Sequence, residues 1–387
     1  MPRDTREAPA EFSLFGGPLH QLGRRLGLVR GDTNTVLIGV VLGGGLWIII
    51  AILALIGGFA DRMLSLSFIG EPARLLVVIP LLFMCESWVA PRMAAFVRRI
   101  VESGVVPASA LPALDADVVR TRRWTDAWWP DAACLLVAIL LAITGARLQT
   151  YGATSAPDPT ADALAARVYF RVGLALFRFL MLRWIWRMGL WSWFLWRVSR
   201  LDLHLIPGHP DGSGGLESVA GVHERFTPLI AALSVVECAS LVEDLSTGAV
   251  VITSVYTFLA LLLLVDAAVF LGPLLVFTDK LWASRTKGLS AYMGFAGRYV
   301  TELERKWLGN EGVPPVVDSM LGTPHLYTLA DLANSVNIVR NMQWVPIGPR
   351  LLTMVAVAAL VPLSPLLLFE YPVAKMAERF FARLVGL

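Results

Sequence analysis

Arginine inside an apolar helix is the chemistry-bearing feature of this chain. From 167 to 200 the sequence reads RVYFRVGLALFRFLMLRWIWRMGLWSWFLWRVSR, with seven arginines among leucines and tryptophans. A charge at the centre of a bilayer costs about 2.5–3.5 kcal/mol on insertion scales, so each such residue needs a partner or a task. Arg171 and Arg178 lie seven apart on one helical stripe, with Arg167 four residues earlier. Acidic counterparts sit in other apolar stretches: Glu237 and Asp266 near mid-depth and Glu86 nearer one end. Arg178, Glu237 and Asp266 are expected at similar depth, either lining a path for an ion, a proton or an anion, or forming a buried ion pair that sets helix register. Arg183, Arg187 and Arg197 fall on another side of the helix. They read as interfacial residues whose heads reach lipid headgroups, with the tryptophans from Trp184 to Trp196 marking that interface. The irregular spacing argues against a voltage sensor, whose basic residues recur at every third position.

A second group of candidates lies in the loop LDLHLIPGHPDGSGGLESVAGVHERF. His204, His209 and His223, with Asp211 and Glu224, are residue types that bind zinc, manganese or iron, so a divalent metal is a minor reading here; the spacing matches no tight metal signature. Gly212, Gly214 and Gly215 could bring backbone N–H groups around an anion. The plainer alternative is a tight turn with Asp211 capping the structure that follows. No cofactor is otherwise implied.

The elements that must position these residues are helices in a membrane. Of 387 residues, 56% are hydrophobic and only 16% charged, with mean hydropathy +0.64, too apolar for a soluble globular chain. The expected fold is all-α: a polytopic transmembrane bundle of about seven spans (six if the last is re-entrant), with short cytoplasmic amphipathic helices. The segments are 1–34, a cytoplasmic stretch with a candidate interfacial helix at 11–30; 35–91, a two-span hairpin; 92–128, a cytoplasmic amphipathic region following a span closed at Pro91; 129–278, a four-span core carrying the 200–225 loop; 279–349, a second cytoplasmic helical region; and 350–387, the last span and a terminal amphipathic helix. Pro80 is expected to kink the second span, and the sixth, 249–278, is expected as one long helix that tilts or extends beyond the bilayer. Gly39 and Gly43 have the spacing that lets two helices approach closely, within the chain or between copies. Cys85, Cys134 and Cys238 all fall in apolar runs and read as small buried hydrophobes.

Positive charge orients the bundle. With the N-terminus in the cytoplasm, the segments placed inside hold 24 of the 33 Lys and Arg residues, as the positive-inside tendency requires. The C-terminus then lies on the periplasmic side. The net charge of +3 follows from this topology and does not imply nucleic acid as a partner. The partners expected are the lipid bilayer, a second copy of the chain, and a small ion or molecule.

The strings WRVSRLDL, HPDGSGGL, LADLANSVNIVRNM and VPLSPLLL resemble a group of bacterial multi-pass inner-membrane proteins with no established activity. The likeness covers roughly residue 170 to the C-terminus. It implies location and topology and carries no chemistry. The chain has no Walker A loop, no GxGxxG, no HExxH and no GxSxG. The charges inside the membrane make a conduit, an ion channel or ion-coupled transporter, the expected function. The alternatives are a scaffold or sensor whose charges are structural, and a metal-dependent enzyme acting on a lipid or quinone-like substrate at the membrane face.

Overall fold

The computed structural model describes residues 35–56, 68–152, 168–248, 250, 252–307 and 324–367. The expected interfacial segment 11–30, Arg167, most of the connector after the third expected span and the terminal amphipathic helix lie outside these residues. Within them the chain is helical and no strand occurs. The elements are α1 (Val36–Ile56), α2 (Gly70–Glu102), α3 (Leu111–Asp126), α4 (Trp128–Gly152), α5 (Leu174–Arg200), α6 (Glu217–His223), α7 (Thr227–Thr247), α8 (Ile252–Phe270), α9 (Thr278–Trp307), α10 (Pro324–Arg340) and α11 (Pro349–Leu360).

Four helical stretches are long and apolar enough to cross a membrane: Val36–Ile56, Gly70–Glu102, Glu217–Ser246 and Pro349–Leu366. Two bent pairs raise the number to six if each is one span: Ala108–Asp126 with Trp128–Thr144, and Ser254–Phe270 with Gly272–Arg305, each bent by 43°. Their outward faces are apolar. Leu37, Val41, Ile48 and Ile52 of α1, Leu136 and Leu140 of α4, and Leu261 and Leu264 of α8 are all exposed. Exposed apolar belts of this extent support a bilayer setting.

Two local expectations are corrected. Pro91 does not end the second helix; α2 runs through it to Glu102, so the amphipathic stretch 92–102 continues a span. Pro91 is exposed, and a proline in a long apolar helix is tolerated where neighbouring groups re-satisfy the freed carbonyl. The expected single helix 249–278 instead stops at Phe270, where Gly272-Pro273 turns the chain through a short 3₁₀ segment, Gly272–Phe277, into α9. At Pro80 the helix widens into a π-helical turn, Ala73–Val78. Pro80 has no N–H to give the carbonyl five residues earlier, that of Leu75.

That carbonyl meets α1. A Cβ added at Gly43 would strike the Leu75 oxygen, and one at Gly39 would lie 2.9 Å from the Phe83 ring. The Gly39/Gly43 contact is therefore within one chain. Thr35 fastens the same pair, its Oγ1 donating to the Phe83 carbonyl at 2.9 Å.

The arginine- and tryptophan-rich helix α5 is not among the crossing candidates. It lies in the packed core: Trp191 and Phe194 stack on each other, and Phe96 of α2 meets Trp191 edge-on at 5.8 Å. Trp184 packs edge-on against Phe226 at 6.3 Å. Trp184 and Trp191 are thus core residues, correcting their placement at an interface; Trp196 is exposed.

Candidate functional site

Helix α5 is wound so that Arg183 and Arg187, one turn apart, face inward. Both are 5% exposed, which overturns their reading as headgroup-seeking residues. Arg187 grips Glu86 of α2 with two nitrogens, at 3.2 Å to Oε1 and 3.1 Å to Oε2. Arg183 Nε lies 3.3 Å from Asp131 Oδ1 of α4. Further along the same face, Arg197 donates to the nearly buried Asp117 of α3 at 3.0 Å. Three arginines on one helix thereby tie down three neighbours. The forked guanidinium suits this role because it can satisfy a carboxylate from a fixed direction. The space beside Glu86, Arg183 and Arg187 is about 10 Å³, no more than a single water needs. Spacing shows which arginines share a stripe, but not which stripe faces inward.

The expected mid-membrane group is dispersed. Arg171 is exposed beside α5, in a π-helical turn. Arg178 and Glu237 are half-buried, and among the described residues no ion pair joins Arg178 to Glu237 or Asp266. Asp266 stands apart. It is 2% exposed, on the inward stripe of α8 with Val255 and Phe270, between the exposed Leu264 and Val269. Neither of its carboxylate oxygens has a hydrogen-bond partner among the described residues.

The histidine–glycine loop folds around its own acid. Asp211 accepts the backbone N–H groups of Ser213 at 2.9 Å, Gly215 at 2.9 Å and Glu217 at 3.1 Å. Its Oδ1 lies 2.8 Å from His209 Nδ1. Gly212, Gly214 and Gly215 have φ of 65°, 63° and 98°, a left-handed backbone that glycine adopts without strain. The anion in this nest is thus the carboxylate of Asp211, and the capping turn is what forms. Burial pushes the Asp211 carboxyl up, but the amides of Ser213, Glu217 and Gly215 together with His209 outweigh it and hold it below its ordinary value of 3.8. A lowered carboxyl stabilises the fold above its unfolded pKa, and that contribution is lost as pH falls through the folded value. The Ser213, Gly215 and Glu217 amides are therefore expected to keep their hydrogen-exchange protection down to about pH 4 and lose it below. Protection already lost at pH 5 would contradict this.

The expected metal ligands do not converge. His204 is exposed. His223 is buried, its Nε2 accepting from Trp191 Nε1 at 3.1 Å and its Nδ1 lying 2.6 Å from the Phe270 carbonyl, so both ring nitrogens are engaged. Glu224 pairs with Arg350 at 3.4 Å. Among the described residues no three His, Cys, Asp or Glu side chains are placed to hold a metal ion.

Beside the loop opens a cleft of about 350 Å³. One wall is α2, with Arg92, Phe96 and Arg99; another is α6 and the turn after it, with Glu217, Ser218 and Glu224; Gln343 and Arg350 close it. Nothing in the sequence pointed here, since Arg350 lies 251 residues after Arg99 and Arg92, Arg99 and Arg350 read only as topology charges. Their meeting depends on the loop being tied down. The His204 N–H donates to the Val105 carbonyl at 2.7 Å, and the Gln343 N–H donates to the Gly212 carbonyl at 2.8 Å.

No protein-family model, curated protein or solved structure matches this chain.

Proposed function

We propose that this chain is a membrane conduit, an ion channel or ion-coupled transporter, in which Asp266 is the ion- or proton-binding group. The observation that carries the reading is a carboxylate 2% exposed, without a hydrogen-bond partner among the described residues, on a helix that otherwise turns leucine and valine outward. A carboxyl in that setting is strongly disfavoured as a bare anion, so it must bind a proton or a cation or be reached by water during a cycle. The paired arginines are the rigid frame of this reading: Glu86 and Asp131 are already neutralised and have little freedom to exchange partners. We place the protein in a bacterial inner membrane, with about seven spans, a cytoplasmic N-terminus, a periplasmic C-terminus and self-association into homo-oligomers. The charge bias of the connecting segments and the resemblance noted above support that placement.

The test is a proton or cation flux assay on the full chain reconstituted in liposomes. Asp266→Asn is expected to lower the rate on the order of tenfold or more, because the amide takes up no proton. The same variant should unfold at an equal or higher temperature, since it removes an unpartnered buried acid. Absent flux in the wild type, or unchanged flux in the variant, would overturn the reading.

A scaffold or sensor is the second reading, favoured by the mutual neutralisation of Arg183, Arg187 and Arg197 with Asp131, Glu86 and Asp117. Under it Asp266→Asn raises stability and no flux exists to lose.

A further inference from the structure

We propose that the cleft between α2, α6 and the start of α11 binds a phosphate group, held by the guanidiniums of Arg92 and Arg99. This goes beyond the conduit reading and does not depend on it. The two arginines are seven residues apart on α2, so they project from one face about 10.5 Å apart along the axis. Their long side chains can close on a group between them. Both are exposed and line the cleft, and neither has an ion-pair partner among the described residues. Arg98, between them, is already turned to Glu102.

The cleft also contains acids, so its balance must be counted by availability. Asp211 is consumed by the loop amides and His209, and Glu224 by Arg350. That leaves Arg92 and Arg99 facing only the exposed Glu217. The opposite wall is polar as well, with Ser218 and Gln343 lining the cleft. Two planar donor forks on one wall of a cleft suit the tetrahedral oxygens of a phosphate, which guanidinium pairs bidentately.

Location suggests where the phosphate comes from. The C-terminal end of the crossing candidate Gly70–Glu102 and the N-terminal ends of Glu217–Ser246 and Pro349–Leu366 all meet at this cleft. Crossing helices that end together define a membrane face, within reach of a lipid headgroup as well as of a soluble phosphate ester.

The full chain in nanodiscs of pure phosphatidylcholine should be titrated with inorganic phosphate and, separately, with short-chain phosphatidic acid, at matched chloride ionic strength, while its thermal midpoint is followed. A saturable rise is expected with at least one probe. A rise with phosphate assigns a soluble phosphate, a rise with the lipid alone assigns the headgroup, and either upholds the site. Arg92→Gln/Arg99→Gln should abolish the rise or move half-saturation at least tenfold higher, whereas Arg98→Gln leaves it unchanged. Should the double variant unfold early, Arg92→Gln and Arg99→Gln taken singly each supply an independent loss of affinity. No saturable rise with either probe, or an equal rise in Arg92→Gln/Arg99→Gln, would refute the proposal.

Discussion

Arg187→Leu is expected to cost about 3–5 kcal/mol, because it takes from the buried Glu86 the guanidinium that binds both of its carboxylate oxygens. Glu86 is 7% exposed and Arg187 binds both of its oxygens, so no solvent is at hand to replace the lost partner. Arg183 sits one turn away on the same helix, but it is held by Asp131. Removing both charges should behave differently. Glu86→Leu/Arg187→Leu is expected within about 1 kcal/mol of the wild type, or above it, since well-packed apolar replacements of buried pairs are often neutral or stabilising. Reversible unfolding of the purified protein in detergent, run as a double-mutant cycle, measures this directly. If the single variant unfolded within about 0.5 kcal/mol of the wild type, the pair would not be a structural tie.

A comparable loss is expected from one methyl group. In Gly43→Ala the new Cβ runs into the Leu75 backbone carbonyl, in the π-helical turn that α1 packs against. Overpacking usually costs about 1–3 kcal/mol when side chains can yield, and a backbone carbonyl fixed in a helix yields less, so about 3 kcal/mol is expected. The neighbouring positions are the control. A Cβ at Gly44 or Gly45 meets nothing within 4 Å. Alanine there should be neutral, or stabilising by up to about 1 kcal/mol through helix propensity. Thermal unfolding of the three single variants separates the cases. Equal midpoints for Gly43→Ala and Gly44→Ala would mean that α1 does not dock on α2 in this way.

The same contrast separates what could be read from the chain and what could not. That Gly39 and Gly43 permit close approach was legible, because spacing on one helix is a local property. Their partner, a carbonyl opposite Pro80, was not, because it lies on another helix whose register a π-turn resets. Asp211 as the cap of its own glycine turn was legible, since every participant lies within seven residues. The cleft was not: Arg92, Glu224 and Arg350 come together only after α2, α6 and α11 have docked.

By itself the sequence determined that this chain is helical, that several helices are apolar enough for a bilayer, and that charge is carried inward, because hydropathy and helical period act over one or two turns. The tertiary structure alone decided which charges meet. It turned Arg183 and Arg187 toward Asp131 and Glu86, and left Asp266 buried without a hydrogen-bond partner among the described residues. The reason is geometric. One residue of helix rotation is 100°, enough to exchange a buried arginine for an exposed one. That angle is set by how neighbouring helices pack and is not encoded in the spacing along any one of them.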